Sequence, residues 1–220
     1  NDYYFSFAAR QNDFDLRLNS GIRDFSAKYD MDYFPAPQHR LKFGALYTYH
    51  RFTPNVVNGA QGETRFDPNN EGVKYAGETS AYVQHEWELG EQVKINSGLR
   101  YSVCSQLGPY TLYNRDADGN KTDSARYARG QKIKSYGGWE PRITLRYAWN
   151  DESSFKFSVT RNLQYVHLVS NAGTTLPTDL WVPCTYRVKP QIGWLYAAGV
   201  FKNYRDNAYE TSFEVYYKDM

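Results

Sequence analysis

Tyr110, Tyr113, Arg115, Arg126, Tyr127 and Arg129 lie in the stretch 109–138, which is rich in tyrosine and charge. Aromatic faces with hydrogen-bonding tips suit sugars, metal chelates or peptides, so this stretch is the first candidate for ligand contact. A plain exposed loop would carry the same residues, and the sequence does not separate the two readings. His167 and Trp181, at the edge of and within the stretch 170–190, form the second candidate. No catalytic constellation accompanies them. His39, His50, His85 and His167 are scattered, and none sits in a recognised nucleophile or metal motif. The expectation is a protein without enzymatic activity, resident metal or cofactor.

Two weaker motifs lie in the same region. Asp116 to Asp123 (DADGNKTD) begins like a calcium loop, but its Gly is fourth rather than sixth, and Tyr127 stands where the closing Glu belongs. A polar loop tip is therefore expected. The tripeptide Asp123-Ser124-Ala125 resembles a short acceptor for bacterial O-glycosylation. Cys104 and Cys184, the two cysteines, form no metal motif and are too few for a disulfide scaffold. By the topology below both fall on the same side, so a disulfide between them is one reading and unpaired thiols the other.

The elements that must position these residues are strands. Apolar residues alternate with period two, and helical spacing is nowhere sustained. On 92–101, Val93, Ile95, Leu99 and Tyr101 oppose Lys94, Asn96, Gly98 and Arg100. On 24–33, Phe25, Ala27, Tyr29, Met31 and Tyr33 oppose Asp24, Ser26, Lys28, Asp30 and Asp32. Similar patterns cover 41–49 and 209–217, with weaker copies over 3–9, 79–87, 142–149, 155–166 and 191–201. About nine strands result, most near the 9–11 residues that a tilted membrane crossing needs rather than the five or six of a soluble sheet.

The connections alternate strictly. Short turns are expected at 35–38, 89–91, 150–153 and 205–207. Long connections are expected at 12–20, 54–73, 108–138 and 170–190. Outer-membrane barrels show this asymmetry, with tight periplasmic turns and large outer loops. Tyr33, Phe34, Trp87, Trp149 and Tyr204 all sit beside short turns, as an aromatic ring at the periplasmic lipid boundary would. Asp24, Asp30, Asp32, Gln84, Glu86, Arg100, Arg142, Arg146, Glu210 and Glu214 take the opposite parity and suit a wet lumen.

Composition agrees. The 220 residues include 21 Tyr, 12 Phe and 5 Trp, too aromatic for disorder, yet 23% are charged. Such a mixture fits a membrane barrel, whose lumen and loops are wet while alternate residues meet lipid. No apolar run is long enough for a membrane-spanning helix, and nothing at Asn1 resembles a signal peptide. A net charge of +2 without Lys/Arg blocks gives no sign of a nucleic-acid partner.

Stretches 78–87 (ETSAYVQHEW) and 95–101 (INSGLRY) resemble the strand–turn–strand signature of TonB-dependent receptor barrels. So do 139–147 (WEPRITLRY) and 154–161 (SFKFSVTR). Stretches 175–183 (TLPTDLWVP), 189–191 (KPQ) and 209–218 (YETSFEVYYK) look like the subgroup whose members often carry a carboxypeptidase-like regulatory domain. The resemblance implies an all-β, antiparallel transmembrane barrel of about 22 strands in a Gram-negative outer membrane, closed by an N-terminal plug. Residues 1–220 are then expected to supply part of the barrel, without the plug and the other strands. It further implies uptake of a scarce nutrient, contact with the TonB complex through that plug, and contact with outer-membrane lipid. Iron chelates, cobalamin and oligosaccharides are all open as substrate, and a surface lipoprotein is a candidate partner. A passive porin or adhesin barrel and a soluble β-rich binding domain remain as alternatives. A hydrolase with Ser and His facing each other on the lipid side of the wall is the one catalytic alternative.

Overall fold

A computed structural model describes residues 2–11, 14–61, 64–66, 73–169 and 180–220. Nine long strands form one antiparallel meander. In order they are β1 (Asp2–Gln11), β2 (Phe14–Ala36), β3 (His39–Gln61), β5 (Lys74–Leu89), β6 (Val93–Leu107), β9 (Lys132–Asn150), β10 (Ser153–Gln164), β13 (Gln191–Tyr204) and β14 (Tyr209–Asp219). A short β4 (Thr64–Phe66) pairs with β3. Two small hairpins stand apart from the main sheet: β7 (Tyr110–Arg115) with β8 (Lys121–Tyr127), and β11 (Val166–Val169) with β12 (Leu180–Pro183). Among the described residues β1 and β14 do not pair with each other, so the sheet is open.

All nine expected strands are present, and their register keeps one parity on one face. Tyr33 pairs with Leu41, Phe43 with Val83, Val83 with Leu99, Ile95 with Leu145, Leu145 with Phe157, Phe157 with Ala198 and Ala198 with Val215. An apolar belt therefore runs unbroken across the sheet. Leu99, in mid-belt, is 40% exposed, and Phe25, Tyr47, Ile143, Val200 and Phe213 are exposed too. A soluble protein hides such a surface, whereas a barrel turns it to lipid. The expected boundary aromatics Tyr33, Phe34, Trp87, Trp149 and Tyr204 are all exposed beside the short turns.

The short turns are built from local chemistry. Gly90 takes a φ of 64°, and at 205–207 three successive side-chain-bearing residues adopt left-handed φ. There the Asn203 amide donates to Asn207 Oδ1 at 2.7 Å, and Ala208 N–H donates to the Arg205 carbonyl at 3.0 Å. Asn150 Oδ1 accepts the Glu152 N–H at 3.1 Å. Asx-type bonds of this kind substitute for the missing ladder partners.

The long connections differ from expectation. Much of what reads as loop is strand, because β2 begins at Phe14, β3 continues to Gln61 and β9 begins at Lys132. Both β2 and β3 have 23 residues, far more than one bilayer crossing requires. Beyond the lipid boundary nothing requires one face to be apolar. The backbone ladder continues while the period-two signal fades.

Candidate functional site

Three layers occupy the face opposite the apolar belt. The first, toward the short turns, is a charged lattice. Lys28 Nζ lies 2.6 Å from Asp30, and Lys42 lies 3.8 Å from the same carboxylate. Arg40 bridges Asp32 at 3.1 Å and Glu86 at 3.9 Å. Lys94 bridges Glu88 at 2.9 Å and Glu86 at 4.0 Å. The Tyr82 hydroxyl donates to Asp30 across the face of Gly44. Any Cβ on Gly44 would sit 2.4 Å from the Tyr82 ring, so glycine is what lets that phenol lie flat on the wall. A cavity of about 230 Å³ opens here, lined by Lys28, Lys42, Tyr82, Gln84, Arg100 and Arg142.

The second layer is a buried cluster nearer the long-loop end. Phe52, Ala76, Cys104, Tyr165 and Cys184 are its core, with Ile22, Tyr136, Leu163, Val166 and Trp181 packed around them. It exists because the chain after β10 turns inward. Strand β12 lies between β11 and β13 in sequence yet packs against β2, β3 and β5. Polar ties fasten this segment to the wall. Tyr136 Oη donates to the Thr185 carbonyl at 3.0 Å, and Tyr186 N–H donates to Gln106 Oε1 at 3.1 Å. Tyr165 Oη donates to the Ser102 carbonyl at 3.0 Å, while Ser102 Oγ donates to buried Glu140 at 2.5 Å. Burial pushes the Tyr165 phenol up to about 12, so it stays a donor at any physiological pH. Beside the cluster, buried His50 places Nδ1 2.7 Å from Asp24 and Nε2 3.7 Å from Glu78.

The third layer is a vestibule. A cavity of about 630 Å³ lies between the β7–β8 hairpin and the segment 182–188, above the outer ends of β5 and β6. Tyr110, Tyr113, Arg126 and Tyr127 line one side, Tyr186 and Arg187 the other, with Lys74 and Gln106 among the remaining lining residues. Lys121 lies 4.3 Å over the Tyr113 ring, and the Arg187 guanidinium 5.2 Å over Tyr186. Asp116 holds the hairpin tip, its carboxylate accepting the N–H groups of Asp118 at 3.1 Å and Asn120 at 2.8 Å. That carboxylate is engaged as a turn cap, in keeping with a polar loop tip. Three cations and four tyrosines face this space, with no carboxylate among its lining residues.

Sequence-based candidates divide accordingly. Tyr110, Tyr113, Arg126 and Tyr127 come together in the vestibule. Arg129 does not join them; its guanidinium lies toward Tyr49 on the wall. The Arg115 side chain and residues 170–179 lie outside the described residues. His167 faces Cys184, its Nε2 3.8 Å from the sulfur, and Trp181 packs on the buried cluster, so both serve the second layer. Cys104 and Cys184 do share the long-loop side, but both are buried rather than exposed. Sequence reading missed Lys74, Tyr186, Arg187 and the His50 site. Their partners lie on strands distant in sequence, and only the register and the inward turn unite them. His39 and His85 meet at 3.0 Å and stack with Trp87 on the belt side, away from all three layers.

The family described as TonB dependent receptor-like, β-barrel, matches residues 1–220. The chain belongs to the TonB-dependent receptor β-barrel family. Its fold is similar to the ferric yersiniabactin uptake receptor FyuA of Yersinia pestis, with a TM-score of 0.62 and 11% identity, over 99% of this chain and 31% of that one. The FrpB iron transporter of Neisseria meningitidis gives 0.58 and 10%, over 99% and 36%. The ferric-catecholate import receptor Fiu of Escherichia coli gives 0.54 and 10%, over 98% and 36%. At such identities the likeness shows the fold alone. This chain spans about a third of each of those proteins. No curated protein sequence matches it. The family belongs to Gram-negative outer membranes, and barrels of such membranes carry polar interiors and longer loops at the outer end.

Proposed function

We propose that this chain is the ligand-facing part of a TonB-dependent outer-membrane receptor that imports a scarce nutrient carrying oxyanion groups. The observation that supports this reading most is the vestibule, where Lys74, Arg126 and Arg187 surround an open space with Tyr110, Tyr113, Tyr127 and Tyr186. Guanidinium groups pair with carboxylate or phosphate oxygens two at a time, and tyrosine adds a flat face with a hydrogen-bonding tip. The cavity deeper in the lumen repeats the preference with Lys28, Lys42, Arg100 and Arg142. There Lys28 and Lys42 are shared with Asp30, so the deeper cavity is the less cationic of the two. The strands that close the barrel beside β1 and β14, and a plug that engages the TonB complex, belong in this reading to the rest of the protein. A surface lipoprotein partner belongs with it as well.

The test is uptake by intact cells carrying the full receptor. Deleting its gene should abolish accumulation of one labelled nutrient at limiting concentration, and collapsing the proton-motive force should do the same. Arg126→Glu with Arg187→Glu should raise the concentration for half-maximal uptake by about tenfold or more, in line with losing two charge-assisted contacts. Uptake indifferent to the proton-motive force would establish a passive pore instead. Orientation is checked separately: a tag inserted at Asn120 should label on intact cells, and one at Asp151 should not.

A further inference from the structure

Cys104 and Cys184 are the two cysteines of this sequence, and the fold brings them from distant positions into one sealed cluster. Each is about 1% exposed. In the structure both are free thiols packed in the same cluster, and the Cys104 thiol beside it holds Cys184 below its ordinary thiol pKa against the opposing effect of burial. Cys104 belongs to the barrel wall, on β6. Cys184 follows β12, on the segment that turns inward and supplies Thr185, Tyr186 and Arg187 to the vestibule. The Cys184 N–H also donates to the Tyr165 carbonyl at 2.8 Å, so backbone and side chain are both fixed at this point. His167 Nε2 lies 3.8 Å from the Cys184 sulfur.

We infer that Cys104 and Cys184 are a modification site, joined as an intrachain disulfide that staples the inward segment to the barrel wall and fixes one side of the vestibule. This rests on the outer-membrane reading above, because a chain bound for that membrane crosses an oxidising periplasm. The reaction is thiol–disulfide exchange with a periplasmic protein disulfide. One cysteine thiolate attacks the oxidant and forms a mixed disulfide. The second thiolate displaces the oxidant's sulfur, leaving the Cys104–Cys184 bond and a reduced dithiol on the oxidant. Two protons and two electrons leave the receptor. The exchange precedes docking of the segment, since the folded cluster admits no protein oxidant to either sulfur. A thiol pair merely filling space needs no such proximity, because either sulfur could be Ala or Ser without creating a large void.

The experiment uses the full receptor from fractionated cells, alkylated under denaturing conditions before any reductant is added. Recovery in the outer-membrane fraction checks the location independently of the bond. The expected result is a proteolytic species containing both cysteines, lighter by two hydrogens than the sum of its peptides and split by reductant. Receptor in the outer membrane with both thiols alkylated would overturn the disulfide alone. Thiols that react only after a chelator is added would overturn it too, in favour of a thiolate–metal pair with His167. Receptor outside the outer membrane with free thiols would overturn the location and the disulfide together. In the folded receptor, reductant should speed amide exchange at Cys184, Thr185 and Tyr186 by about tenfold or more. Cys104→Ser should show the faster rate without reductant. Exchange unchanged by both treatments would show that the bond does not hold the segment.

Discussion

The wall near the short turns and the vestibule at the other end solve the same burial problem in opposite ways. In the wall each strand sends alternate residues outward, and Phe43, Val83, Leu99, Ile143 and Val200 gain their apolar environment from lipid rather than from one another. Beneath the vestibule the chain makes a small core of its own, with Phe52, Ala76, Cys104, Tyr165 and Cys184 sealed under the inward segment. The wall is thus organised by a solvent boundary and the vestibule by tertiary contact. Substitutions should therefore act through different observables: assembly into the membrane for the wall, local opening for the vestibule.

The largest effect is expected in the vestibule core. Phe52→Ala removes a fully buried ring, a loss of about 3–5 kcal/mol. It should release the segment 182–188, seen as faster amide exchange there, while the barrel still reaches the membrane. Failure of the whole barrel to assemble would break the separation between the two regions. Next comes the lipid face: Leu99→Arg or Phe43→Arg should lower the assembled yield, since Arg at mid-membrane costs about 2–4 kcal/mol. Asn96→Arg and Lys42→Arg, on the other parity, should assemble normally, and heat-modifiable mobility on gels gives the readout. If the second pair proved the more damaging, the two faces would be exchanged.

A smaller effect is expected inside the lumen. Gly44→Ala places a methyl group against the Tyr82 ring and should cost about 1–3 kcal/mol as that phenol is displaced from Asp30. Thermal denaturation in detergent, compared with a Gly44→Ala, Tyr82→Ala double variant, tests it, because the second change should relieve the first. Smallest is Asp116→Ala, which removes the turn cap at the hairpin tip for about 1 kcal/mol. It should loosen 110–127 without altering assembly, as limited proteolysis of intact cells would report.

Strand number, strand parity and the places of the short turns were all legible in the sequence. A membrane imposes a strict period of two on residues such as Val93, Ile95, Leu99 and Tyr101, and a short turn needs Gly90 or Asn207 at a fixed place. These are local constraints, and each leaves its mark on a few neighbouring residues. Tyr110, Tyr113, Arg126 and Tyr127 were also legible as a group, because one hairpin carries them. The continuation of β2, β3 and β9 past the lipid boundary was not, since paired backbone in water needs no apolar parity.

Only the tertiary structure decided that the chain after β10 turns into the lumen. That turn brings Tyr186 and Arg187 to Lys74 and Arg126, sets Cys184 against Cys104, and places His167 and Trp181 at the buried cluster rather than along the vestibule. Nothing near those residues in sequence announces the partners, because the contacts join strands that are adjacent only through the register of the sheet. Parity along a strand follows from the medium on each side of it. Which loop fills the lumen follows from packing between distant segments, and that is settled only when the whole wall is in place.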